Sequence, residues 1–224
     1  MNTTTAYIDV ELAGIAFQMF AERGLYWPAQ RTLFVADTHF GKDATFRRFG
    51  LAVPAGSTHT TLAAIDRMID ASGCSRVLIL GDLFHAKSSL SSITCKLLEL
   101  FFERHSDIEF TLIRGNHDRR VGPLPATWPI AVLEPGEAIE NVILAHEPGI
   151  VPQSAALMLC GHIHPAVHVG SHTDRLGKIA CFWLSKGCLV LPAIGDFTGT
   201  YAIRPKSDDQ VWLVVDDQVI SHRI

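Results

Sequence analysis

The chain has 224 residues, of which 48% are hydrophobic, enough for one sizeable core and too many for a disordered segment. Its formal net charge of −4 excludes a generally cationic surface, though not a nucleic-acid substrate met at a local positive site. No apolar run approaches the roughly 18–20 residues of a membrane span, so no membrane partner is expected.

In chain order, the stretch up to about Trp27 reads as β-rich. Thr32–Ala36 is a short apolar run suited to a buried strand, with Asp37 and His39 at its end. Ser57–Asp70 reads as a helix with Leu62, Ile65 and Ile69 on one face and Gly73 as its stop. Arg76–Leu80 is a second buried strand closing at Gly81-Asp82, and Ser91–Arg104 a second amphipathic helix. Glu109–Ile113 is a third strand, running into Arg114-Gly115-Asn116-His117-Asp118. Short strands then follow with little helix between them, at Val142–Ala145, Leu157–Cys160, Val167–Val169, Ile179–Leu184, Leu189–Leu191, Tyr201–Ile203 and Val211–Val215. Such an order suggests an α/β fold of two packed sheets with helices outside. With no Gly/Ser tract, Pro-rich linker or repeat to divide it, residues 1–224 read as a single domain.

The five cysteines are odd in number and none shows C-x-x-C spacing, which suits reduced thiols. Met1–Val10 lacks the basic and apolar regions of a signal peptide, so a cytoplasmic location is expected.

Five segments hold metal-ligand residue types after apolar runs: Asp37-x-His39, Gly81-Asp82, Gly115-Asn116-His117-Asp118, Ala145-His146 and Gly161-His162-x-His164. Oxygen and imidazole donors together suit Mn, Fe, Zn or Ni better than Ca. Gly81, Gly115 and Gly161 let the backbone approach a ligand closely. If strand alternation holds, Asp37 and His39 face one side together, as do His162 and His164. Each motif alone is common; all five in this order seldom arise by accident and point to a metal site.

The ordered set resembles the calcineurin-like metallophosphoesterase superfamily. A wider match, from Ala36–Lys42 and Thr45–Gly50 through Gly81–His85, Arg114–Arg120, His146–Pro148 and Gly161–Pro165 to Cys181–Trp183 and Leu191–Gly199, resembles its ligase-associated DNA-repair branch (PdeM type). Thr38 and Phe40 depart from the leucines expected there, without touching a ligand. The resemblance implies a four-layer αββα sandwich with two mostly mixed sheets. It implies two divalent ions, Mn²⁺ above all, one held by Asp37, His39 and His164 and the other by Asn116, His146 and His162, with Asp82 bridging both. A hydroxide shared by the metals would attack phosphorus, His117 would protonate the leaving oxygen, and Asp118 would orient or charge His117.

Around this core, Arg47 and Arg48 read as loop residues that either bind substrate phosphate or carry solvated charge. His85 reads as a substrate contact, a neighbour of the ligands or a plain loop histidine. Trp183, Phe182 and Phe197 suit core packing better than base stacking. The expected function is a phosphodiesterase acting on nucleic acid in bacterial DNA repair, associated with an ATP-dependent DNA ligase. Hydrolysis of a nucleotide, cyclic nucleotide or phosphomonoester is the alternative, and a non-catalytic scaffold should have lost ligands that are all present here.

Overall fold

The structure is a computed structural model and describes residues 6–48, 50–54, 56–170 and 175–223. The chain opens on an antiparallel ribbon, β1 (Tyr7–Leu12) and β2 (Ile15–Phe20), followed by β3 (Leu25–Trp27) and β4 (Thr32–Val35). After α1 (Lys42–Arg48) and α2 (Ser57–Ser72) come β5 (Arg76–Leu80), α3 (Ser92–Arg104), β6 (Glu109–Ile113), α4 (Asn116–Val121) and β7 (Ile130–Leu133). The remainder is β8 (Ala138–Ile139), β9 (Val142–Leu144), β10 (Leu157–Cys160), β11 (Pro165–Gly170), β12 (Arg175–Ser185), β13 (Cys188–Val190), β14 (Tyr201–Ala202), β15 (Gln210–Val215) and β16 (Gln218–His222).

Strands β1 to β7 lie side by side in chain order in one sheet, antiparallel up to β4 and parallel from β4 to β7. The second sheet runs β14-β11-β12-β13-β10-β9-β8, with β15 beside β12 and β16 beside β15. It too is mixed: β9, β10 and β13 are mutually parallel, whereas β12 is antiparallel to its neighbours.

Strand alternation decides which side chain enters which layer. Leu33, Val35, Val77 and Ile79 face α2 and α3, where they meet Leu62, Ile65, Met68, Leu98 and Phe102. Phe34, Ala36, Leu78 and Leu80 face the other way, against Leu144, Leu159, Phe182 and Leu189 of the second sheet. β4 and β5 are buried on both faces, which is why they read as continuous apolar runs. The expected α/β sandwich of two mixed sheets with flanking helices is present. Among the described residues its four α-helices all precede β7, and no helix covers the outer face of the second sheet.

The main elements lie close to where the sequence puts them. α2 stops at Gly73, whose φ of 59° ends the helix, and Ser91 caps α3 rather than beginning it, accepting the Thr94 N–H at 3.1 Å. β12 is longer than expected, and β7, β8 and β16 were not anticipated. Nor were α1 and α4. Two turns or fewer carry no readable 3.6-residue period and owe their stability to packing. Arg47 and Arg48 therefore end a helix, where loop residues were expected. Phe182 is buried; Trp183 is half-buried with its indole N–H on Asp209, and Phe197, expected in the core, is exposed. The described residues contain no helix long and apolar enough to cross a membrane.

Candidate metal centre

The parallel ladders of both sheets continue past their strand ends as single hydrogen bonds. Asp37, His39 and Phe40 donate backbone N–H groups to the carbonyls of Gly81, Asp82 and Leu83. On the second sheet, Gly161 donates to His146 and Leu191 to Cys160. The two rims are joined where Ile194 donates to Ala36 and Gly195 to Asp37. All five motifs thereby meet at one edge of the sandwich, outside the carboxyl ends of the strands.

Two groups of side chains converge there. Ligand atoms of Asp37, His39 and His164 all lie within 4.8 Å of one another, and so do those of Asp82, His146 and His162. Asn116 joins the second group, its Oδ1 3.0 Å from His146 Nε2, which is 3.1 Å from His162 Nδ1. Asp82 Oδ2 faces both groups, 3.4 Å from His146 Nε2 and 3.9 Å from His39 Nε2.

Strand alternation is not what aligns these residues. Asp37, His39, Asp82, His162 and His164 all have left-handed φ values, from 44° to 70°, in the loops beyond β4, β5 and β10. Such backbones cost about 1–3 kcal/mol each and persist only where surrounding contacts impose them. The result is the division that the resemblance implies and strand alternation does not: His162 turns to Asp82 and His146, and His164 to Asp37 and His39.

The glycines act as expected. A Cβ on Gly81 would lie 2.0 Å from His146 Nδ1, one on Gly115 2.3 Å from Asp82 Oδ1, and one on Gly161 2.4 Å from Asp37 Oδ2. Only Gly81, at φ 83°, also needs the left-handed turn.

Surrounding carbonyls orient the imidazoles. His146 Nδ1 donates to Leu80 O at 3.0 Å and His164 Nδ1 to Gly199 O at 2.9 Å, so that Nε2 of each ring is the nitrogen turned inward. Asp37 and Asp82 each accept one backbone N–H, from His162 and His117 respectively, with their second oxygens turned to the clusters. Within the first group, Asp37 Oδ1, His39 Nδ1 and His164 Nε2 are buried without a hydrogen-bond partner among the described residues. Unpaired buried polar atoms are costly, and a cation among oxygen and imidazole donors would satisfy them. The residues present therefore fit divalent metal ions.

The electrostatics agree. Burial, with the Lys42 charge, pushes the His39 pKa down to about 2, keeping the ring neutral as a ligand must be. Burial alone would also lower the pKa of His146, but its hydrogen bond to Asp82 and the charges of Asp37 and Asp82 lift it to about 9.

Of the remaining expected site residues, His117 lies beside the clusters, its Nε2 4.0 Å from Asp82 Oδ2 and its Nδ1 donating to the His85 carbonyl at 2.6 Å. Asp118 does not orient His117. Its carboxylate instead accepts the backbone N–H groups of Asp82, Leu83 and Gly115 at 2.8–2.9 Å, because α4 begins at Asn116 and turns the Asp118 side chain back under the loop. His85 is no plain loop residue: its ring stacks on His117 at 5.0 Å and meets His39 edge-on at 5.5 Å. Arg47 is occupied by Asp43 at 3.0 Å and the Pro54 carbonyl, whereas Arg48 is exposed and has no partner among the described residues. Lys42 had no role assigned; its one signal in the sequence is its place three residues beyond His39. A cavity of about 280 Å³ opens beside Asn116 and His146, walled in part by Arg114, Arg119 and Glu147.

Comparison with known proteins agrees with this geometry. Residues 30–150 match the family model described as calcineurin-like phosphoesterase. The crystal structure of Pseudomonas putida nuclease MPE is similar at 34% identity and a TM-score of 0.85, over 97% of this chain and 100% of that one. The phosphoesterase Yfce from E. coli, at 14% identity and a TM-score of 0.42 over 84% of this chain and 96% of that one, is too distant to add to the assignment. No curated protein matches. With the family model spanning more than half of its length and two donor clusters that fit metal ions, the chain belongs to the calcineurin-like phosphoesterases and is a metal-dependent hydrolase of phosphate esters.

Proposed function

We propose that the protein is a binuclear phosphodiesterase acting on nucleic acid in DNA repair. The observation that carries the binuclear reading is Asp82 Oδ2, turned to two clusters at once. Asp37, His39 and His164 would hold one ion, Asn116, His146 and His162 the other, and Asp82 both. Two divalent ions, Mn²⁺ by family expectation, lower the pKa of water and polarise phosphate oxygens when bound. Asn116 is a neutral ligand, so the two carboxylates leave the loaded site cationic and suited to phosphate.

His117 would hold the proton for the leaving oxygen at Nε2, with its Nδ1–H on the His85 carbonyl fixing the ring. Asp118 would support this indirectly, by fixing the loops that carry Asp82 and Asn116. Arg48 remains a substrate-strand contact, whereas Arg47 serves the end of α1. The similar nuclease of Pseudomonas putida supports a polynucleotide substrate. A working association with an ATP-dependent DNA ligase follows from the branch resemblance.

The test is turnover by chelator-stripped protein, with added Mn²⁺, of paired aryl phosphate diesters and monoesters and of defined DNA and RNA strands, beside Asp82→Ala. Metal-dependent cleavage of diester and strand, lost in the variant, is expected. Turnover of monoesters alone would replace the reading with a phosphatase, and none with Mn²⁺, Ni²⁺, Fe²⁺ or Zn²⁺ would make the protein a scaffold.

A further inference from the structure

Lys42 is a basic residue in an unusual position. It begins α1, and its side chain is buried, with the residue only 7% exposed. α1 is held close by its packing: Gly41 N–H donates to Thr58 Oγ1 at 2.9 Å, and a Cβ on Gly41 would lie 2.5 Å from Ser89 O. Thr45 Oγ1 also sits 3.0–3.1 Å from the hydroxyls of Ser88 and Ser89.

Lys42 and Phe46, four residues apart, share a face of this short helix. Phe46 meets His85 edge-on at 6.0 Å, and Lys42 Nζ lies 5.7 Å from the Phe46 ring centroid. His85 in turn touches His39 and His117. The ammonium therefore belongs to the wall of the metal centre that carries the proposed proton donor. Its charge is felt at His39, His85 and His164, and those of Asp37 and Asp82 act on it in return.

Among the described residues the Lys42 ammonium has neither a hydrogen bond nor an ion pair, and only its backbone N–H is paired, with the His39 carbonyl. A buried ammonium without an acceptor is costly, and the Phe46 ring offsets only part of that. Asp37 and Asp82 ease the cost in the metal-free protein, but two divalent ions would claim both carboxylates and add repulsion. An anion entering the site would remove the conflict, and phosphate is the anion this site handles.

We infer that Lys42 is a substrate-binding residue whose ammonium takes a non-bridging oxygen of the scissile phosphate on the His117 side of the centre. The inference rests on the two-metal reading above. A lysine suits the position because its ammonium is a compact point charge on a flexible stem. It also implies that phosphate itself, left at the end of monoester turnover, binds the loaded site.

The test uses wild type, Lys42→Met and Lys42→Arg. Manganese per chain is measured by elemental analysis, and inorganic phosphate is titrated calorimetrically into the Mn-loaded proteins. Two manganese ions are expected in each, with phosphate binding weakened about 10- to 100-fold in Lys42→Met and partly restored in Lys42→Arg. Phosphate affinity within twofold of wild type at full manganese content would overturn the inference and leave Lys42 a packing residue. Loss of manganese from Lys42→Met would overturn it too, by assigning Lys42 to the metal ligands' support. Fewer than two manganese ions in the wild type would instead defeat the binuclear reading, and this inference with it.

Discussion

Asp118 carries Asp82. Its Oδ2 accepts the Asp82 backbone N–H at 2.8 Å and, at the same distance, that of Gly115, while Oδ1 takes Leu83 at 2.9 Å. One buried carboxylate thus ties the loop after β5 to the loop after β6, and so fixes Asp82 relative to Asn116.

Replacing Asp118 by Asn puts an amide nitrogen where an acceptor is needed. The expected cost is about 2–4 kcal/mol of stability, since charged acceptors bind backbone N–H groups strongly and the orphaned donors stay buried. Thermal unfolding of the metal-free variant measures it. A loss below about 0.5 kcal/mol would show that the carboxylate does not hold the two loops.

On the proposed role of His117 as proton donor, its loss should depend on the leaving group. In His117→Ala, turnover of a dinucleotide is expected to fall about 10²- to 10⁴-fold, while a p-nitrophenyl diester, whose leaving group needs no proton, should lose far less. Equal losses on both substrates would remove His117 from the acid role.

Gly161→Ala would drive a Cβ to 2.4 Å from Asp37 Oδ2 and 2.7 Å from the Ala36 side chain. Neither neighbour is the far end of a flexible chain, so Asp37 must move. Weaker manganese binding by at least tenfold, about 1.4 kcal/mol, is expected, with circular dichroism showing a folded protein. Unchanged affinity would mean that Asp37 is not a ligand.

In the metal-free protein the His146 pKa stands at about 9, against 6.5 for an ordinary imidazole. A raised pKa contributes stability that is complete below about 6.5 and lost as pH rises through about 9. The melting temperature of chelator-treated protein should fall across that window, while manganese, competing with the same proton, should bind more tightly. The manganese-loaded protein has no such proton to lose and should show a flatter profile. Parallel profiles for the two forms would contradict the geometry at His146.

Much of this protein is legible in its sequence. β5, β6 and β10 have the bounds the apolar runs suggest, and for β5 and β10 burial on both faces leaves no ambiguity of side. The histidines and carboxylates of the five motifs also announced a metal site, since so many donor residues seldom follow apolar runs by accident. The separation of His162 from His164 was implied by the family resemblance, but its cause was not readable from spacing. Their spacing suggested one shared face, and only left-handed backbones, imposed by contacts between the two sheets, send them to different groups.

The same holds for Asp118, Arg47 and Lys42. The resemblance linked Asp118 to His117, but helix geometry at α4 turned it to Asp82. Arg47 looked free until α1 gave it Asp43 four residues back. By itself the sequence determined the chemistry, because donor type and order depend on residue identity alone. The tertiary structure decided which donor joins which group, what holds them there and where an unpaired ammonium lies, because those depend on how two sheets and a short helix close around one edge.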